Sequence, residues 1–131
     1  MAATTGLLRH ALVLVVAMSP AAASADEASF KQDVLPIVKR HCLMCHLPGA
    51  ESGGLSLHPD AWASVVGIAS HESSLKLVEP GAPDRSYLYL KLVNAQESAG
   101  GGGLQMPPAQ PLADGQLAVI RRWIEQGAKQ D

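Results

Sequence analysis

The chain has few of the large side chains that fill a self-supporting protein core. Its 131 residues include one Phe, two Tyr and two Trp, or 4% of the sequence. These aromatic residues are Phe30, Trp62, Tyr87, Tyr89 and Trp123. A small domain with so thin an apolar core commonly depends on a disulfide, a metal or a cofactor for its stability. We therefore expect a bound group to complete the core.

The chain also lacks an excess of positive charge and a long apolar run. Ten Lys and Arg residues stand against twelve Asp and Glu, which gives a formal net charge of −2. This balance is not that of a nucleic-acid-binding protein. The apolar run at residues 11–18 falls well short of the ~20 residues that span a bilayer. The sequence therefore predicts neither a nucleic-acid partner nor a membrane span in the processed protein.

The first 25 residues have the order of a secretory signal peptide. Arg9 precedes the apolar run, and Ala23-Ser24-Ala25 supplies small residues in an A-x-A arrangement. We expect cleavage after Ala25 and a periplasmic or otherwise exported location; the alternative is an anchor that is never removed, which the short run disfavours. Residues 26–131 then form one domain of 106 residues. Because Arg9 is lost, this domain has nine basic and twelve acidic residues and a formal charge of −3.

Residues 42–46 read Cys-Leu-Met-Cys-His. In an exported protein, a Cys-x-x-Cys-His run is typical of c-type haem attachment. Two thiols three positions apart on a helical turn can form thioethers with the two vinyl groups along one edge of a haem. The histidine then lies under the macrocycle, where its imidazole can ligate the iron. The motif predicts that Cys42, Cys45 and His46 bind one covalent haem c.

The two cysteines have other possible uses: a small disulfide, a thioredoxin-like dithiol or a zinc site. No second Cys or His pair follows at ligand spacing, and His58 and His71 stand alone in separate segments, which disfavours zinc. A thioredoxin-like pair follows a strand in a βαβ pattern, whereas here a helical pattern precedes Cys42 and a loop rich in Gly and Ser follows. Haem attachment is therefore the favoured interpretation, and a dithiol or disulfide is the alternative.

Hydrophobic periodicity predicts an all-α domain of several short helices with little or no sheet. Helices are predicted over residues 29–41 with a kink at Pro36, from Pro59 to about Val66, from Pro83 to about Asn94, and over a C-terminal stretch that ends at Gly127. The last helix carries Leu117, Ile120 and Ile124 on one face. The four glycines at 100–103 predict a flexible run before the loop at 104–108.

Met106 is the methionine available for the second axial position of a haem iron. Met44 lies inside the attachment loop, on the histidine side of the haem, and cannot reach across. Met106 follows the motif's histidine by 60 positions and precedes two prolines, which restrict its backbone. Its thioether would give the His/Met ligation of electron carriers. The alternatives are His58 or His71 as the second ligand, or no ligand; His41 precedes the first cysteine and is excluded by geometry.

Together, these features resemble a small class I cytochrome c and, more narrowly, the planctomycete-type cytochrome c domain. The resemblance is carried by residues 33–46, Gly53-Gly54-Leu55-Ser56-Leu57, residues 80–86, Met106-Pro107-Pro108, residues 111–114 and residues 120–128. These stretches occur in the family's order and cover nearly all of residues 29–128. The resemblance implies a single-haem, all-α fold whose N- and C-terminal helices cross beside the haem. It also implies that His46 is the proximal ligand of the iron and Met106 the distal one.

Ala113 departs from this family pattern. The family often has a hydroxyl residue at this position, where it caps the last helix. Asp114 or Gln116 is then expected to serve that helix end less well.

The sequence therefore predicts an exported mono-haem cytochrome that carries one electron at a time and is not an enzyme. We expect a redox protein as its transient docking partner, and we expect a monomer. Lys39, Arg40 and Lys91 are candidates for a docking patch, although ordinary solvated charges are the simpler interpretation. Arg85 or a tyrosine hydroxyl is a candidate for binding a haem propionate. The alternatives are a haem with a labile sixth ligand, peroxidase-like or gas-binding, and a haem-free dithiol module.

Overall fold

The computed structural model describes Met1 and residues 27–131. Apart from Met1, the predicted signal peptide lies outside the described residues. The described part contains four α-helices, a two-stranded antiparallel hairpin, one π-helical turn and three 3₁₀ turns, and about 42% of it is helical. The predicted cytochrome c fold stays a prediction. No helix in this part of the chain is long and apolar enough to cross a membrane.

The elements have the following bounds. The helices are α1 Leu35–His41, α2 Ala61–Val65, α3 Tyr87–Leu92 and α4 Asp114–Glu125, and the hairpin strands are β1 His46–Leu47 and β2 Ala50–Glu51. The π-helical turn is Phe30–Val34, and the 3₁₀ turns are Ser52–Gly54, Pro83–Arg85 and Gln96–Ala99. In the hairpin, His46 lies opposite Glu51. The motif's histidine is therefore the first residue of a short, hydrogen-bonded strand.

The helical segment before the cysteine motif changes its hydrogen-bond pattern near Pro36. Val34 N donates to Ser29 O at 3.2 Å, and Leu35 N donates to Phe30 O. This i→i+5 spacing is that of a π-helix. Proline has no N–H to donate, so the wider turn lets the chain pass into α1 without that bond. The predicted change near Pro36 is a π-helical turn in the structure, and Pro36 lies in the first turn of α1.

Helix α2 begins two residues later than the sequence predicts. Its first residue is Ala61 and not Pro59, because Asp60 takes the N-cap position. The Asp60 carboxylate accepts a hydrogen bond from Ala63 N at 3.2 Å, which satisfies an N–H of the first turn. Gly67 lies beyond the end of the helix with φ +75°, a conformation that favours glycine. A good N-cap next to the proline therefore sets the helix start.

Pro83 opens a 3₁₀ turn, whereas the sequence predicts the start of a longer helix at this residue. Helix α3 begins only at Tyr87 because Ser86 has an extended backbone, with φ −104° and ψ 108°. The buried Ser86 hydroxyl donates to Ala82 O and accepts from Glu79 N, both at 2.9 Å. Side-chain bonds to nearby backbone groups compete with the helical pattern. The two segments are therefore separate elements joined at a fixed corner.

The first and last helical segments pack against each other in the core. The rings of Phe30 and Trp123 have centroids 5.4 Å apart at 37°. Ala28 N donates to Gln126 Oε1 at 2.8 Å, and Phe30 N donates to Asp131 Oδ1 at 2.7 Å. Other buried core residues are Val34, Ile37, Val65, Tyr89, Leu92, Ile120 and Ile124. The two ends of the domain are thus in contact, while their crossing beside a haem stays a prediction.

Helix α4 begins with only half of a capping box. Gln116 Oε1 accepts a hydrogen bond from Ala113 N at 3.1 Å. Ala113 has the extended backbone of an N-cap, with φ −66° and ψ 153°. Its methyl side chain has no oxygen that could accept a bond from the first turn of the helix. The Ala113 side chain therefore contributes nothing to capping this end.

Replacing Ala113 with serine is expected to raise the free energy of unfolding by about 1 kcal/mol, because a hydroxyl at this position can cap the first turn. Urea-induced unfolding of the protein, followed by circular dichroism, measures the change. Ala118→Ser is the control, since residue 118 is exposed inside the same helix and serine there costs a few tenths of a kcal/mol. Equal stability of Ala113→Ser and the unmodified protein would contradict the capping argument.

Candidate functional site

Residues from all four helices line a largely apolar cavity of about 580 Å³ that opens to solvent. This volume lies within the range of roughly 300–1,000 Å³ that is typical of ligand pockets. Its apolar lining includes Val34, Ile37, Leu57, Val65, Leu77, Leu88, Leu92, Leu112 and Ile120. Three of the four predicted haem-binding residues, Cys42, His46 and Met106, also line it. The fold therefore brings the motif and the distant methionine to one cavity.

The two cysteines follow α1 directly and are both free thiols. Cys42 N donates to Val38 O at 2.9 Å, and His46 N donates to Cys42 O at 3.2 Å, so the motif continues the helix as a tight turn. Cys42 is half-buried and lines the cavity, whereas Cys45 is exposed and is not among the lining residues. The structure thus places one attachment thiol in the cavity wall and the other toward solvent.

The environment of Cys42 does not activate its thiol. Burial, with a smaller contribution from the neighbouring Cys45, raises the pKa of the Cys42 thiol to about 11. In redox dithiols the reactive cysteine has a lowered pKa, because the thiolate is the nucleophile. At neutral pH the Cys42 thiol is protonated, which disfavours the dithiol alternative.

His46 is held by hydrogen bonds at its backbone and at its ring. Its backbone carbonyl accepts a hydrogen bond from Leu57 N at 2.8 Å, and its ring Nδ1 lies 3.0 Å from Leu55 O. A carbonyl oxygen only accepts, so Nδ1 carries the proton in this bond. A histidine whose Nδ1 is engaged in this way can bind a metal ion through Nε2, and metal-binding histidines commonly make such a bond. The loop between β2 and α2 therefore supplies to His46 the kind of contact that orients a metal ligand.

Met106 is fixed by hydrogen bonds to the end of α3. Its N–H donates to Lys91 O at 3.0 Å, and the adjacent Gln105 Nε2 donates to Leu92 O at 2.7 Å. The Met106 side chain is half-buried at the cavity wall. Local sequence periodicity does not predict the position of Met106. The hydrogen bonds that Gln105 and Met106 make to the end of α3 set it.

The glycine run that precedes Met106 is predicted to be flexible, but hydrogen bonds hold it in place. Lys91 Nζ donates to Gly102 O at 2.6 Å, and Gln96 Nε2 donates to Gly103 O at 2.9 Å. Gly101 lies so close to the Tyr87 ring that a Cβ atom would overlap it. These contacts hold the segment against α3 and so support the position of Met106.

The other histidines differ in their relation to the cavity. His71 is exposed and lines it, whereas His58 and His41 do not. His41 Nε2 instead lies 3.2 Å from Gln116 Nε2 at the start of α4. Of the alternative second ligands, only His71 therefore shares the cavity with His46. In residues 27–131, no group of three or more His, Cys, Asp or Glu is arranged to hold a metal ion, so these residues offer no zinc ligand set of the usual kind.

A polar cluster lies in the cavity wall, and it includes one of the tyrosine hydroxyls that are candidates for binding a propionate. Tyr87 Oη donates to Glu72 Oε2 at 2.7 Å, and Lys91 Nζ lies 3.7 Å from the same oxygen. Burial, followed by the Glu72 contact, raises the pKa of Tyr87 to about 12. Arg85, a predicted propionate-binding candidate, is exposed and does not line the cavity. The i, i+4 spacing of Tyr87 and Lys91 is a sequence signal, whereas Glu72 carries none.

The residues fit a haem bound through its vinyl edge. The cavity has apolar walls, one thiol, the His46 imidazole and a thioether, which a c-type haem requires together with a second thiol. That second thiol belongs to Cys45, which is exposed and does not line the cavity. No family model matches the chain, and no curated protein or solved structure is found to be similar to it. The case for haem therefore rests on the sequence motif and on this geometry.

Proposed function

We propose that the protein is an exported mono-haem c-type cytochrome that carries single electrons. The observation that supports this most strongly is the convergence of Cys42, His46 and Met106 on one apolar cavity. Two of these residues belong to a five-residue motif, but Met106 is 60 positions away from His46. A methionine at a haem cavity is what a His/Met electron carrier needs.

Each residue has a separate task in this proposal. Cys42 and Cys45 would hold the haem through thioether bonds, and His46 Nε2 and the Met106 sulfur would be the ligands of its iron. When bound, the haem would supply a one-electron ferric–ferrous couple. The backbone bond from Met106 to Lys91 O restrains the segment that carries the thioether. The protein therefore acts as an electron carrier and not as an enzyme.

The exposed side of the motif is where we place electron exchange. Cys45 is exposed, so the haem edge attached to it lies close to solvent. A redox partner protein docks there transiently, and the carrier is a monomer in the periplasm or another exported compartment. The predicted signal peptide supplies the route of export.

A visible spectrum of the protein, exported together with c-type maturation machinery, tests this function. We expect the sharp reduced bands of a six-coordinate haem c, unmoved by carbon monoxide because Met106 fills the sixth position. A spectrum that shifts in carbon monoxide would indicate a labile ligand and a peroxidase-like or gas-binding role. Absence of haem bands would favour the alternative in which Cys42 and Cys45 form a haem-free dithiol. Cys42→Ala/Cys45→Ala, exported in the same way, is the control for covalent attachment.

A further inference from the structure

One part of the cavity wall carries opposite charges. Glu72, Tyr87 and Lys91 all line the cavity. Glu72 Oε2 accepts a hydrogen bond from Tyr87 Oη at 2.7 Å and lies 3.7 Å from Lys91 Nζ. A carboxylate therefore sits between a phenol and an ammonium group beside an otherwise apolar space.

The phenol and the ammonium are held rigidly. Tyr87 is only 3% exposed, and Gly101 packs so closely on its ring that no side chain fits there. Lys91 lies one turn further along α3, its side chain is 12% exposed, and Nζ donates to Gly102 O at 2.6 Å. Both donors are thus fixed by the same glycine run that leads to Met106.

The ion pair between Lys91 and Glu72 is a loose one. The distance of 3.7 Å from Lys91 Nζ to Glu72 Oε2 exceeds that of a charge-assisted hydrogen bond, which is about 2.7–2.9 Å. A largely buried ammonium is costly unless a carboxylate pairs with it closely. The Glu72 side chain is 41% exposed, so it can turn toward solvent. Because Tyr87 and Lys91 are fixed and Glu72 is exposed, another carboxylate can replace that of Glu72 beside the two donors.

We propose that Tyr87 and Lys91 bind a propionate carboxylate of the haem, at the position that the Glu72 carboxylate takes in this structure. Haem has an apolar ring and two propionate carboxylates. The apolar walls of the cavity suit the ring, and the phenol and the ammonium group suit one of the carboxylates. The inference rests on the proposed function and names the residues that recognise the carboxylate edge. Lys91 then serves the cofactor and not the docking patch that its sequence position suggests.

The test uses the haem-bearing protein labelled with ¹³C at the two propionate carboxylates. Carbon NMR of the reduced, diamagnetic form gives one resonance for each carboxylate. Lys91→Gln and Tyr87→Phe are expected to shift one of the two resonances and leave the other in place. Glu72→Gln is expected to shift neither, because Glu72 has turned away. Lys129→Gln is the matched control, since this exposed lysine pairs with Glu27 at 3.2 Å and does not line the cavity.

The outcomes separate this inference from the proposed function. Unmoved resonances in both Lys91→Gln and Tyr87→Phe would overturn the inference, as would a shift in Glu72→Gln as large as that in Lys91→Gln. If the Lys91→Gln protein loses its haem bands, its propionate resonances cannot be measured. The Tyr87→Phe protein then provides the test, because this substitution removes only one oxygen atom. An unmodified protein without haem bands would overturn the proposed function itself, and the inference with it.

Discussion

Replacing Met106 with alanine in the haem-bearing protein is expected to lower the midpoint potential by on the order of 0.1 V, a fraction of the roughly 0.8 V that axial ligands span. A thioether ligand favours the reduced iron, so its loss favours the oxidised form. The same change is expected to let carbon monoxide bind the reduced haem rapidly, because the sixth position is no longer filled by sulfur. Potentiometric titration gives the potential, and the carbon monoxide difference spectrum gives the binding.

Two further variants make this result specific to Met106. Met44→Ala is the matched control, since Met44 lies in the attachment loop, is 87% exposed and does not line the cavity. It is expected to change neither the potential nor the response to carbon monoxide. His71→Ala examines the remaining alternative, because His71 does line the cavity. An unchanged potential in Met106→Ala, together with a large change in His71→Ala, would assign the second ligand to the histidine.

The parts of the site that the sequence predicts are those governed by local covalent chemistry. The spacing of Cys42, Cys45 and His46 is the one that the rigid edge of a haem requires, and five consecutive residues are enough to express it. Met106 is the expected second ligand because few methionines are present. The partners that fix these groups come from distant segments: Leu55 O holds the His46 ring, and Lys91 O holds the Met106 backbone. Backbone acceptors have no sequence signature, so these contacts could not be predicted.

Helix boundaries show the same division between local and tertiary effects. Proline predicts helix starts well only when no better cap stands beside it, and Asp60 displaces the start of α2 from Pro59 to Ala61. At α3 the deciding group is the Ser86 hydroxyl, which bonds to backbone atoms up to seven residues away. Such bonds depend on how the segments pack, and burial of Ser86 is decided by the whole fold.

A variant with both attachment cysteines replaced, Cys42→Ser/Cys45→Ser, is expected to lose its haem and most of its fold. The walls of the cavity are also the core of the domain: Phe30, Val34, Ile37, Leu57, Val65, Leu92, Leu112, Ile120 and Trp123 belong to both. Without haem, these apolar walls border a water-accessible space of about 580 Å³, so much of the core lacks the apolar contacts that would bury it. The whole stability of a domain is about 5–15 kcal/mol.

A domain with only five aromatic residues has a thin apolar core, so the loss of these contacts is expected to remove a large share of its stability. Far-UV circular dichroism of the double variant, exported like the unmodified protein, should show a reduced helical signal and no cooperative urea transition. Haem content, measured on the same samples, should fall with the helical signal, while Met44→Ala should retain both. Full helicity with a sharp transition in the haem-free variant would show that the Phe30–Trp123 contact and the bonds to Gln126 and Asp131 hold the domain by themselves. The core of the domain would then be complete without the haem.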